Sequence, residues 1–272
     1  MIPHTSRIFS TPSQTLLALL AIIVLLSPPS IRAFSVYEEQ SARTGMQRIG
    51  LISGVKPDQR EALDMAIKKA PESLDSDLEK AGIYNLSLFT KEIDNRTWCF
   101  AHFEFRGDRE LAVTNFLKAS TFTANLGQFL APHARATETW LRMEWITHVP
   151  GAGKPTEDYR GKREKFGLVT SLKAEKEAEY RTLHQTVWPG VNDQIGRSQY
   201  RDWTTFLIEI DAKIYLFSYF EYLGKNMDAD NAAMKADPVT QRWWKLTDAC
   251  MEPLPEQKNG FWTAMKPLRV TP

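Results

Sequence analysis

Cysteine is almost missing from this chain, with two residues, Cys99 and Cys250, in 272. Two thiols are too few for a disulfide framework and neither has metal-ligand spacing around it, so both read as small buried apolar groups. Net charge is almost missing too. Lys and Arg total 34 against 33 Asp and Glu, a net of +1, which leaves no surplus of the cations that nucleic-acid binding needs to neutralise phosphates. No apolar run reaches the roughly 20 residues of a membrane span. The longest, residues 15–26 (TLLALLAIIVLL), follows Arg7 and precedes Ser27, Pro28, Pro29 and Ala33. That is the layout of a secretory signal peptide. Residues 1–33 are read as the signal, with cleavage near Ala33 and an exported product; an uncleaved signal would leave a membrane anchor. Otherwise, 43% hydrophobic and 25% charged residues describe a globular protein that meets no membrane once the signal is removed. Its length suffices for two domains, each with its own core.

The chain repeats itself. From about Gln47, the two halves superpose at a fixed offset of 117 positions without gaps: Gly50 falls on Gly167, Phe89 on Phe206, Phe100 on Phe217, Phe103 and Glu104 on Phe220 and Glu221, and Trp145 on Trp262. A period this long exceeds solenoid repeats and marks two copies of a whole small fold. The expected boundaries are residues 46–149 for the first copy, a Gly/Pro-containing linker at 150–163, and 164–270 for the second.

Each copy reads in the same order. In the second, the β-branched run 166–172 predicts a strand and residues 174–183 a helix. Trp188-Pro189 breaks that helix and opens another through Val191 and Ile195. Residues 203–209 and 214–221 predict a hairpin, Asp228 and Asp230 start a helix, Pro238 opens one through Trp243, and residues 261–265 predict the last strand. Strand-helix-strand-strand-helix-strand is the α+β, ferredoxin-like order. Four antiparallel strands with helices on one face leave the other face bare, and two copies can cover it sheet on sheet as a pseudo-dimeric α/β barrel within one monomer.

The chemistry gathers in the second copy. Tyr180 and His184, four apart, place a phenol and an imidazole on one helix face. Trp188, Trp203, Trp243 and Trp244 can wall a ligand, although adjacent helical residues point about 100° apart, which predicts one of Trp243 and Trp244 in the core. The offset of 117 places Tyr180 on Leu63, His184 on Ile67, Trp188 on Pro71, Trp243 on Leu126 and Trp244 on Gly127. The first copy has lost the whole constellation, so the fold does not require it, and a site accounts for it better than a core does. His102 and His133 lack such company and read as surface or satisfied core residues.

The runs E-Y-x-x-x-H-x-x-x-W-P at 179–189 and Q-R-W-W-K at 241–245 followed by Thr247-Asp248, with Phe261-Trp262 near the end, resemble L-rhamnose mutarotases. The first copy shares only the family's apolar framework. The resemblance implies a small α+β fold that interconverts sugar anomers without metal or cofactor, with His184 as proton donor and Tyr180, Trp243 and Trp244 as sugar-binding residues. A second binding tyrosine of the family falls on Trp203, which exchanges a hydroxyl for an indole. Mutarotation takes the anomeric O–H proton while the ring oxygen gains one, work suited to a group titrating near neutrality, as an ordinary imidazole does. The expected function is therefore a carbohydrate mutarotase, an epimerase-type isomerase acting on a monosaccharide. Two other classes compete with it: a noncatalytic carbohydrate-binding module, and a cofactor-free monooxygenase of similar fold.

Overall fold

A computed structural model describes residues 45–135, 138–151 and 163–270. The expected signal peptide and most of the expected linker lie outside the described residues. Among the described residues, no helix is long and apolar enough to cross a membrane.

The architecture is α+β, with two antiparallel sheets. The first half holds β1 (Gln47–Val55), α1 (Arg60–Lys68), α2 (Leu74–Lys80), β2 (Ile83–Ile93), β3 (Arg96–Phe105), α3 (Ala112–Lys118), α4 (Thr121–Asn125), β4 (Leu130–Ala131), β5 (Leu141–Arg142) and β6 (Glu144–Val149). The second holds β7 (Glu164–Leu172), α5 (Glu177–Gln185), α6 (Pro189–Arg197), β8 (Tyr200–Ile210), β9 (Lys213–Tyr222), α7 (Met227–Ala236), α8 (Pro238–Asp248), β10 (Met251–Glu252), β11 (Thr263–Ala264) and β12 (Lys266–Val270). Both long hairpins turn on two residues with positive φ, Asp94 and Asn95 in one and Asp211 and Ala212 in the other, the left-handed geometry that matches strand twist.

The sheets do not follow the repeat. One runs β12-β2-β3-β1-β4 with β5 also on β1, and the other β10-β7-β9-β8-β6 with β11 also on β7. Each sheet takes an edge strand from the other half: β6 pairs with β8 and β12 with β2. Of the last strand expected at 261–265, only Thr263–Ala264 forms β11, on its own sheet, and the chain runs on into an unexpected β12, on the other. Pro267 is accommodated because β12 is an edge with a register shift beside it, where a missing N–H costs little.

The ungapped overlay also needs correction. The offset of 117 holds through the N-caps Ser120 and Asp237. It is 121 at β4 and β10, where Leu130 meets Val55 and Met251 meets Leu172. At β5 and β11 it is 122, since Leu141 meets Ile52 and Thr263 meets Val169. Four extra residues therefore lie between Asp237 and β10, where α8 runs to Asp248 while the first copy's helical stretch stops at Gln128. Trp262 corresponds to Trp140; Trp145 instead pairs with Phe206 inside β6 and β8.

The inner faces of the sheets meet. Phe89, Phe100, Phe206, Phe217, Ile52 and Val169 form one buried cluster drawn from both. A Cβ on Gly50 would lie 2.6 Å from the Phe206 ring, and one on Gly167 2.7 Å from the Phe89 ring, so both glycines admit a ring from the opposite sheet. Polar contacts also cross over. Glu221, fully buried, accepts from Arg163 Nη1 at 2.8 Å, the Tyr219 hydroxyl at 2.7 Å and Asn85 Nδ2 at 2.9 Å. Arg48 donates to Asp202 at 2.9 Å. A buried carboxylate holds its charge only when so surrounded. His102 is 1% exposed, stacked on Tyr219 with centroids 3.8 Å apart, and neither ring nitrogen has a hydrogen-bond partner among the described residues. It is thus a core histidine but not a satisfied one. His133 Nε2 is 2.9 Å from the Glu209 carbonyl.

Candidate active site

Helix α5 positions the imidazole. Acidic residues Glu177 and Glu179 occupy its first turn, where they complement the helix dipole. Arg181 bonds Glu177 one turn back and reaches Glu144 of β6 at 2.5 and 2.9 Å, tying the helix to the strand donated by the first half. The helix ends as Thr186 turns extended and Trp188 caps α6, with Pro189 in its first turn.

On the inner face of α5, Tyr180 and His184 stack with ring centroids 4.0 Å apart, and Trp243 of α8 meets the imidazole edge-on at 5.2 Å. His184 Nδ1 lies 2.9 Å from the Tyr180 carbonyl. A carbonyl can only accept, so Nδ1 carries the proton and Nε2 keeps its lone pair. Burial pushes the imidazole down to about 4, against the smaller upward pull of that hydrogen bond. This corrects the sequence expectation: His184 does not titrate near neutrality and is an uncharged base at pH 7. Burial holds the Tyr180 phenol well above its ordinary value, with the Cys250 and Asp248 charges adding to it.

A cavity of about 260 Å³ opens beside these rings, lined by Tyr180, His184, Trp203, Trp243 and Trp244. Five of the six residues picked from the sequence thus share one wall. Trp188 is the exception. It stands behind Trp243, edge-on at 5.4 Å, one layer back from the cavity. Trp203 stacks on Phe220 with centroids 4.7 Å apart. Trp243 and Trp244 both line the space, Trp243 buried and Trp244 half-buried. The expected division into one core and one site indole fails because an indole is broad enough for two neighbours to flank one cavity.

Other lining residues were given no role by the sequence. Thr147 and Val149 of β6 close one side and Asp248 closes another. The Thr147 hydroxyl is buried without a hydrogen-bond partner among the described residues. No spacing signalled Thr147, because it arrives on a strand from the other half. Asp248 stands in the Thr247-Asp248 pair of the family resemblance, which gave it no role, and it lies in the four-residue excess of the second half that the ungapped overlay hid. Among the described residues, no group of three or more His, Cys, Asp or Glu is arranged to hold a metal.

No curated protein matches this chain. Among solved structures, a candidate monooxygenase from Fusobacterium nucleatum subsp. nucleatum ATCC 25586 is 12% identical over 83% of this chain and 93% of its own, with a TM-score of 0.49. Another, from Lactobacillus acidophilus NCFM, is 9% identical over 82% and 95%, with a TM-score of 0.48. A chlorite dismutase from Candidatus Nitrospira defluvii is 12% identical over 84% and 95%, with a TM-score of 0.38. The stretch that carries α5, α6, α8 and most of the cavity wall is also the one that finds a family: residues 165–269 match the family model described as L-rhamnose mutarotase.

Proposed function

We propose that the chain is a carbohydrate mutarotase with one site, in its second half, acting on a neutral monosaccharide, and that the two sheets form one pseudo-dimeric barrel in which the first half is a structural partner. One observation carries this reading: His184 is locked by its Nδ1–H onto the Tyr180 carbonyl, leaving Nε2 without a hydrogen-bond partner among the described residues, beside a cavity walled by Trp203, Trp243 and Trp244. Flat indoles suit the C–H faces of a pyranose, and their N–H groups seek its hydroxyls. An uncharged imidazole can take the anomeric O–H proton as the ring opens and return it on closure. Neutral substrates are favoured because the wall holds the Asp248 carboxyl and no Lys or Arg. A sugar acid would bring a negative charge into a space without a counter-charge.

The test is the exchange between α and β anomers of L-rhamnose and a panel of neutral reducing sugars, followed by saturation-transfer NMR. Wild type should exceed buffer, and His184→Ala should lose on the order of 10²-fold or more of the catalysed rate. Binding without acceleration in wild type would replace the enzyme with a noncatalytic sugar-binding module.

A further inference from the structure

Mutarotation moves two protons, and one imidazole handles one of them at a time. Asp248 closes the same cavity at the last residue of α8. A carboxylate there faces the negative end of the helix dipole, which disfavours its charge. No ion pair or side-chain hydrogen bond of Asp248 occurs among the described residues, whereas Asp237 at the other end of the helix pairs with Arg197 at 3.8 Å and accepts the Thr240 N–H at 2.8 Å. Structure alone gives no reason for an acid at this position. The turn that bears it is also extra, because the four additional residues of the second half fall where α8 outruns its counterpart. A second polar group points the same way: the Thr147 hydroxyl, 3% exposed at the residue level, lines this space without a partner.

We propose that Asp248 is the second proton carrier of the site, donating to the ring oxygen while His184 Nε2 accepts the anomeric hydroxyl proton. The proposal rests on the mutarotase reading. In the opening step the O1–H bond breaks to His184, the C1–O1 bond becomes a carbonyl, the C1–O5 bond breaks, and O5 takes the Asp248 proton. The products are the open-chain aldehyde, an imidazolium and a carboxylate. After rotation about C1–C2, O5 attacks the other face of the carbonyl, the O5 proton returns to Asp248 and O1 recovers its proton from His184. No oxidant or cofactor enters.

The surroundings suit this division. Burial pushes the Asp248 carboxyl up, which favours its proton-carrying form, and the His184 imidazole down, which favours its proton-accepting form. Tyr180 is near enough for the Asp248 charge to act on its phenol, yet that phenol is too weak an acid to compete as donor near neutral pH. The ionisable groups that line the cavity with Asp248 are Tyr180 and His184 from α5, while Cys250, two residues along its own chain, donates its thiol to the Leu246 carbonyl at 3.5 Å. The walls from β6, β8, α6 and α7 contribute none.

The experiment uses the whole chain with L-rhamnose, measuring anomeric exchange from pH 4 to 9 and binding by quenching of tryptophan fluorescence. Asp248→Asn should reduce catalysed exchange by about 10²-fold, keep saturation by the sugar, and abolish the decline that wild type shows as pH rises through the Asp248 pKa. Asp248→Glu should restore part of the rate together with that decline. Exchange within about twofold of wild type at every pH in Asp248→Asn would overturn the role and leave the mutarotase reading standing. Loss of binding in parallel with rate would also overturn it, making Asp248 a sugar ligand. A wild type no faster than buffer would remove both.

Discussion

The two halves of the chain, whose strand registers correspond, differ at matching places: the first half is filled where the second is hollow. Leu63, Ile67, Leu126 and Trp140, which stand where Tyr180, His184, Trp243 and Trp262 stand in the second half, are each no more than 2% exposed in a single cluster with Phe103 and Phe116. Trp140 meets Phe116 edge-on at 5.8 Å, whereas Trp262 is half-buried on the cavity wall. The fold is therefore complete with an apolar plug, and the second half gives up close packing to keep the space open.

The comparison breaks most visibly on a paired substitution. His184→Ala should cost on the order of 10²–10⁴-fold in catalysed anomeric exchange, while Ile67→Ala at the matching position should leave exchange per folded molecule unchanged and lower stability by about 2–5 kcal/mol. Exchange rates and urea midpoints measured on both variants check this together. Trp140→Ala should cost about 3–5 kcal/mol, and Trp262→Ala distinctly less, its effect appearing as weaker sugar saturation. Equal losses from the two would mean that the second site is packed like the first. Gly50→Ala and Gly167→Ala should each destabilise by roughly 1–3 kcal/mol, because the new methyl meets a phenylalanine ring across the sheets. Thermal melts of the pair should agree, as this feature is common to both halves.

Acid should weaken the whole structure. Burial lowers the imidazoles of His184, His102 and His148 below their ordinary value, so below pH 6.5 the unfolded chain binds protons that the folded chain refuses. A depressed base adds stability that is fully present above its unfolded pKa and is lost as pH falls toward the folded one. His184, held at about 4, accounts for roughly 3 kcal/mol of that decline between pH 6.5 and 4. Urea titrations at intervals across this range should show stability falling with pH, with a shallower slope in His184→Ala.

Much of this was legible beforehand. Alternating strands, the Trp188-Pro189 break, the hairpin at residues 211–212 and the lost polar groups at Leu63 and Ile67 follow from local rules that a single sequence exposes. The overlay failed beyond Asp237 because a longer helix changes no local rule; only strand register reveals that Trp262 answers to Trp140. The position of Trp188 behind Trp243 was equally hidden, since helical spacing fixes a direction and not which neighbour intervenes.

What the sequence determined by itself was the order of elements and the side-chain set Tyr180, His184, Trp203, Trp243 and Trp244 that lines one cavity, because periodicity, turn chemistry and residue identity are properties of short stretches. Tertiary structure decided that β6 and β12 cross between the halves, that Thr147 and Asp248 join the cavity, and that His184 is an uncharged base. Those outcomes depend on which distant surfaces exclude water from one another, and exclusion of water is what sets both the packing and the proton affinity of a buried ring.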